Sequence, residues 1–292
     1  MITLTRNALA TVAALALLPA SAALAAGDAP HIDHQKWSFA GFTGKFDQAQ
    51  LQRGYQVYKE VCSACHGLKR IAFRNLVQGG GPGFPEPSVK ALAESVKVED
   101  GPNDQGKMFE RPGKLSDALP SPFKNEQEAR SIHNGAYPPD LSNIIKARNV
   151  ENTAPWYSHI LLMTRDVAQG YQEGGADYVY ALLTSYAEKP PASMKNADGT
   201  PFKMSDGMNF NSSFPGYQIA MAAPLQAGIV KYQDGSPATV EQYAKDVTAF
   251  LAWASDPSLE SRKSMGWIVM LYLAITALLL GIAKKRIWRD AH

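Results

Sequence analysis

Two thiols and an imidazole stand together at Cys62-Ser63-Ala64-Cys65-His66. Cysteines three positions apart with an adjacent histidine form the attachment motif of a c-type haem. The sulfurs form thioethers to the porphyrin vinyl groups, and the histidine ligates the iron from the proximal side. The other chemistries of Cys-x-x-Cys fit poorly. A structural zinc takes four ligands, and these are the only two Cys in 292 residues. A thioredoxin-like pair opens a helix after a strand, whereas the residues before Cys62 read as helix.

A single proximal histidine leaves the sixth iron position to be filled. His133, His159 and several Met are candidates. A buried Met is ordinarily core filling, so only position narrows the field. The ligand should reach the iron from a loop that precedes the last helix of the domain. Met221 is the last Met before that helix, ahead of Met208 and Met204, and Pro224 stiffens its loop. Thioether ligation raises the reduction potential, which suits an electron carrier.

The elements that must position these groups follow from the pattern. Asp47 caps a helix running to about Val61, with Leu51, Tyr55, Tyr58 and Cys62 at helical spacing and Gly54 as a point of close approach. Gly79-Gly80-Gly81-Pro82-Gly83 is a loop, not a phosphate cradle, because no Lys-Ser/Thr follows. Residues 101–122 read as loop, and Asn125 or Ser121 caps a helix over 126–134. Pro138-Pro139 fix an extended segment, an apolar wall for a flat ligand, before a short helix that Asp140 or Ser142 could cap. Arg148 follows as a possible partner of a haem propionate, with a solvated Arg as the simpler reading. Residues 149–176 read as an extra hairpin or helix, 177–187 as a helix with Tyr178, Leu182 and Tyr186, and 192–238 as mostly loop. Thr239-Val240-Glu241-Gln242 starts a helix that Asp256-Pro257 ends. The fold predicted is mainly α: a class I cytochrome c fold with large loop insertions, plus one C-terminal transmembrane helix.

The two ends say where the chain sits. Residues 1–25 have the layout of a secretory signal peptide, with Arg6, an apolar run and small residues at 23–25. Met265 to Ala283 is 19 residues without a charge, followed by Lys284, Lys285, Arg286 and Arg289. At helical rise that run is roughly 28 Å long, enough to cross a bilayer core, and the basic end should be cytoplasmic. The domains expected are a signal peptide (1–25), a periplasmic cytochrome c domain (26–262), a transmembrane helix (263–284) and a cytoplasmic tail (285–292). The chain has 29 Lys plus Arg against 27 Asp plus Glu. Setting aside the six basic and one acidic residue of the two ends leaves 23 against 26, a mildly acidic body that argues against nucleic acid and allows a basic protein partner.

Several blocks beyond the haem motif carry a family resemblance. They are Glu99-Asp100-Gly101-Pro102-Asn103, Met108-Phe109-x-Arg111-Pro112-Gly113-Lys114-Leu115-Ser116-Asp117, Pro138-Pro139-Asp140-Leu141-Ser142 and Ile219-Ala220-Met221-Ala222-x-Pro224-Leu225. In this order, with a single basic-ended anchor, the chain resembles bacterial cytochrome c1, the haem subunit of ubiquinol–cytochrome c reductase (the cytochrome bc1 complex). The resemblance implies one haem c held through Cys62 and Cys65, His66 and Met221 as the axial pair, and Pro138, Pro139 and Leu141 lining the haem. Arg148 and Tyr178 match family positions near the propionates. Acidic residues from Glu94 to Asp104 would help dock a soluble cytochrome c. The partners implied are membrane lipid, cytochrome b, the Rieske iron–sulfur protein as donor and cytochrome c as acceptor, in a dimeric complex of the bacterial inner membrane. Such a subunit is non-catalytic by itself, since the haem carries the redox change. Between Arg148 and Tyr178 the chain is longer than the compact mitochondrial pattern, and it has no spare Cys to tie the insert. Competing readings are a free-standing anchored cytochrome that donates to an oxidase, and a haem protein with an open sixth site.

Overall fold

The computed structural model describes residues 32–148, 156–168, 174–195 and 199–289. The expected signal peptide therefore lies outside the described residues, as do the flanks of the insert and the last residues of the tail. Two helices cross at the centre. Helix α1, Gln48–Glu60, starts where Asp47 accepts a hydrogen bond from Gln50 N (3.0 Å). Helix α2 is Glu86–Glu94, α3 Glu126–Ile132, α4 Ile144–Ala147, α5 His159–Ala168 and α6 Gly174–Thr184. Helix α7, Val240–Ser255, is capped by Thr239, whose hydroxyl accepts from Gln242 N (3.3 Å), and it stops at Asp256.

The α1–α7 crossing works because Gly54 has no side chain. A Cβ there would lie 2.1 Å from the Asp246 carbonyl oxygen and 2.6 Å from Phe250 Cβ. Around the crossing, Tyr55 and Tyr58 of α1 meet the Phe250 ring at 5.6 and 5.9 Å, and Phe250 meets Trp253 at 5.5 Å. Phe250, Tyr243 and Leu51 have no exposed surface. Fully burying each such side chain contributes about 1.5–3 kcal/mol. Arg53 closes the edge, pairing with buried Asp246 (2.9 Å) and with Asp234 (2.8 Å).

Several details differ from the sequence reading. Helix α2 had no counterpart in it, and the helix expected over 177–187 runs Gly174–Thr184, leaving Tyr186 in an isolated bridge with Asn211. Residues 97–112 contain an antiparallel hairpin, β1 (Lys97–Asp100) against β2 (Phe109–Pro112), and β2 falls in the 101–122 stretch expected as loop. A second, two-residue pair, β3 (Asn209–Phe210) with β4 (Gln218–Ile219), lies in the 192–238 stretch that was expected to be mostly loop. Neither Asp140 nor Ser142 caps α4, whose first turn follows Asn143 with no side-chain cap. Those two side chains are engaged elsewhere, as described below.

Helix α8, Leu259–Trp288, is a continuous 30-residue helix that begins just after Asp256-Pro257. None of its residues is buried by the rest of the chain, and it is long and apolar enough to cross a membrane. At the usual rise it measures about 45 Å, longer than a hydrocarbon core of about 30 Å. Its charged start, with Glu260, Arg262 and Lys263, precedes the uncharged run that begins at Met265.

Candidate haem site

Helix α1 delivers the haem motif into a 3₁₀ turn, Cys62–Ala64, in which Cys65 N and His66 N donate to the Cys62 carbonyl (3.1 and 2.9 Å). Cys62 opens this turn and Cys65 closes it, both half-buried and unbridged. Burial pushes the Cys62 thiol up to about 12, with Cys65 adding to the shift.

The Pro138-to-Ser142 block then binds the residues after the second cysteine. His66 Nδ1 lies 2.8 Å from the Pro139 carbonyl. A carbonyl only accepts, so Nδ1 carries the proton and Nε2 keeps its lone pair. Leu141 N donates to Gly67 O (2.9 Å), Lys69 N to Asp140 Oδ2 (2.9 Å) and Arg70 N to Ser142 Oγ (3.1 Å). Asp140 and Ser142 thus serve as acceptors for the haem-motif loop and not as helix caps. From the other side, Tyr58 of α1 donates its hydroxyl proton to His66 O (3.1 Å). Leu141 is buried, Pro138 half-buried and Pro139 exposed.

Burial holds the His66 imidazole below its ordinary pKa. Nearby His133 works in the same direction, while the Pro139 hydrogen bond and Asp140 oppose it. A neutral ring with a free Nε2 is what iron ligation requires. His133 also carries a buried Nε2 without a hydrogen-bond partner among the described residues, and its ring packs edge-on to Phe123 at 5.3 Å. Two unbridged thiols, a neutral imidazole in a fixed tautomer and a buried ring nitrogen without a hydrogen-bond partner among the described residues fit a covalently held haem at this place.

Arg148, Tyr178 and Met221 form a second group. Helix α6 closes on α4 through Gly175, where a Cβ would stand 1.8 Å from Ile145 O and 2.3 Å from Arg148 O. The exposed Arg148 thereby comes within electrostatic reach of Tyr178, whose hydroxyl pKa is raised by burial and eased by that cation. Half-buried Met221 follows β4, and its carbonyl accepts from the Tyr186 hydroxyl (3.2 Å). Asn211 ties this loop to α6 by donating to Leu182 O (2.8 Å). Tyr186 is therefore a residue the sequence reading left as helix packing. Its spacing of eight from Tyr178 pointed to a helix face, but the helix ends at Thr184 and Tyr186 bridges to Asn211 instead. Met204 is half-buried and Met208 is exposed.

The comparisons with known proteins bear on this arrangement. The Cytochrome C1 family matches residues 37–291. The chain belongs to that family. It is 45% identical over 283 residues to cytochrome c1 of Blastochloris viridis, covering 96% of this chain and 94% of the relative. It is 50% identical over 257 residues to cytochrome b/c1 of Bradyrhizobium diazoefficiens, covering 88% of this chain but only 35% of that longer relative. The cytochrome b-c1 complex catalytic subunit of Candida albicans is 41% identical over 271 residues, with 93% and 82% covered. Cytochromes c1 are c-type haem proteins, and the cofactor of this chain is accordingly one haem c, attached through Cys62 and Cys65. The cytochrome c fold with loop insertions and an apolar C-terminal helix is the expected architecture.

Proposed function

We propose that this chain is the membrane-anchored haem subunit of a ubiquinol–cytochrome c reductase, taking electrons from a Rieske iron–sulfur protein and giving them to a cytochrome c. Bound haem supplies a one-electron Fe(III)/Fe(II) couple, tuned by what surrounds it. His66 and Met221 would hold its iron. Pro138, Pro139 and Leu141 would line the haem, and Arg148 and Tyr178 would serve its propionates. The observation that carries the reading is the His66–Pro139 hydrogen bond. It joins the haem motif to a second family block and leaves the right nitrogen free.

Cytochrome b is the neighbour we assign, in a dimeric complex. Support comes from relatives whose names join the two proteins or place them in one complex. We assign residues 1–25 to a cleaved leader, 26–262 to a periplasmic haem domain, 263–284 to the span of the bacterial inner membrane, and 285–292 to a cytoplasmic tail. The basic cluster after Ala283 supports that orientation. Purification in mild detergent tests the assignment. A b-type haem protein and an iron–sulfur protein should accompany the chain, and reduced cytochrome c should appear when quinol is added. Isolation of the chain alone from intact membranes would favour the free-standing cytochrome instead.

A further inference from the structure

Both ends of the haem domain meet on the first turns of α8. The Glu260 carboxylate accepts from Phe46 N (2.9 Å). Lys263 Nζ donates to Phe39 O (2.7 Å) and to Gly44 O (3.2 Å). Trp267 meets the Phe42 ring edge-on at 6.4 Å. Positions 260, 263 and 267 share one face of the helix. The turn that receives them is shaped for the purpose. A Cβ on Gly44 would stand 2.0 Å from Ala40 O, and Gly41 has a φ of 72°. Only glycines permit a turn this tight, with its carbonyls aimed at Lys263.

The receiving segment is itself fastened to the haem site. Asp177, fully buried in α6, accepts from Trp37 Nε1 (2.8 Å) and Gln35 N (3.0 Å) and pairs with His34 Nδ1 (2.9 Å). Its chain neighbour is Tyr178. A second bridge leaves the opposite side of the anchor. Arg262 and Lys146 both donate to Asp256 Oδ2, Lys146 at 3.1 Å. Lys146 lies in α4, two residues before Arg148. At about 100° per residue, Arg262 falls on the helix face opposite Glu260 and Trp267. One tether would leave a hinge, whereas bridges from opposite faces resist bending in both directions.

We infer that Glu260, Lys263 and Arg262 are positioning residues: with the 39–46 turn and Asp256 they form a two-sided mount that fixes the haem domain at one orientation to the membrane. The inference rests on the proposed membrane span of α8 but not on the identity of the electron donor or acceptor. Electron transfer between a membrane complex and a soluble carrier depends steeply on distance, so a fixed orientation serves the relay.

The test uses the full haem-loaded chain reconstituted alone in oriented bilayers, where no partner can hold it. Electron paramagnetic resonance of the ferric haem reads the angle between haem normal and membrane. The native chain should show a sharp angular dependence. Glu260→Gln, Arg262→Met and Lys263→Met together should abolish that dependence while leaving the g values and midpoint potential unchanged. Lys263→Met alone, the milder change, should broaden it. Lys284→Met, at the far end of the same helix, should leave it sharp. An unaltered angular dependence in the triple variant, or equal broadening by Lys284→Met, would overturn the mount. Co-purification of a b-type haem protein tests the assembly separately, and its failure would leave this measurement readable.

Discussion

A histidine offers iron either of two ring nitrogens, and the Pro139 carbonyl decides between them by holding the proton on Nδ1. On the other side, the proposed ligand Met221 has its backbone pinned by the Tyr186 hydroxyl. Met221→Leu is expected to lower the midpoint potential strongly and to open the reduced iron to carbon monoxide, since thioether ligation stabilises Fe(II). Redox titration with optical spectra checks both outcomes, and an unchanged potential with no ligand binding would place the sixth ligand elsewhere. Tyr186→Phe leaves Met221 in place but removes one hydrogen bond. It should cost about 0.5–1.5 kcal/mol in chemical denaturation and lower the temperature at which carbon monoxide begins to bind. A variant that denatures and binds ligand like the native protein would show that the bond does not hold the loop.

At the scale of elements, the crossing of α1 and α7 carries the haem motif, and Gly54 sets its distance. Gly54→Val would drive a side chain into the Asp246 carbonyl. A loss of at least about 1–3 kcal/mol, with reduced haem incorporation, is expected from overpacking, read by denaturation and haem staining. The β1–β2 hairpin is braced differently. Arg111 donates to both Asp100 and Asp117, and Lys114 N donates to Asp117 Oδ2 (2.7 Å). The Arg111 hydrogen bond, then that of Lys114, hold the Asp117 carboxyl down to about 2, below an unfolded value near 3.9. A depressed carboxyl stabilises the folded state above about pH 4 and ceases to do so as pH falls toward 2. Hydrogen-exchange protection at Lys114 N should decline over that window, and Arg111→Gln, which removes the larger cause of the depression, should move the decline to higher pH. The helices at the crossing were readable from caps and spacing, as with Asp47, Thr239 and Gly54, whereas α2 was not read. The hairpin was not, because β1 and β2 pair Lys97 with Pro112 and Glu99 with Glu110, without the apolar alternation that marks a half-buried strand. The site was half legible. His66 and the Pro-Pro block stood out by residue type, but the tie between them is a backbone carbonyl, which no side-chain pattern encodes. Asp140 and Ser142 misled because a capping side chain and a loop clamp use the same oxygen atoms.

For the molecule as a whole, α8 is a separable anchor by apolar length but not by contact, since its first turns are bonded to the domain. Truncation after Pro257 is expected to give a haem-stained protein in the supernatant after ultracentrifugation, with lower thermal stability than the native chain because Glu260, Arg262 and Lys263 are lost. Haem stain remaining in the pellet would show that other surfaces bind the membrane. The bonds from Phe46 to Glu260 and from Phe39 to Lys263 span 214 and 224 positions of sequence. Loop closure over such spans comes late, because the entropy is spent before the contacts form. Synthesis runs from the N-terminus, so residues 39–46 must wait for nearly the entire body to be made. The same residues that seat the domain then act as a timing device: the chain completes its shape only once its anchor has been delivered.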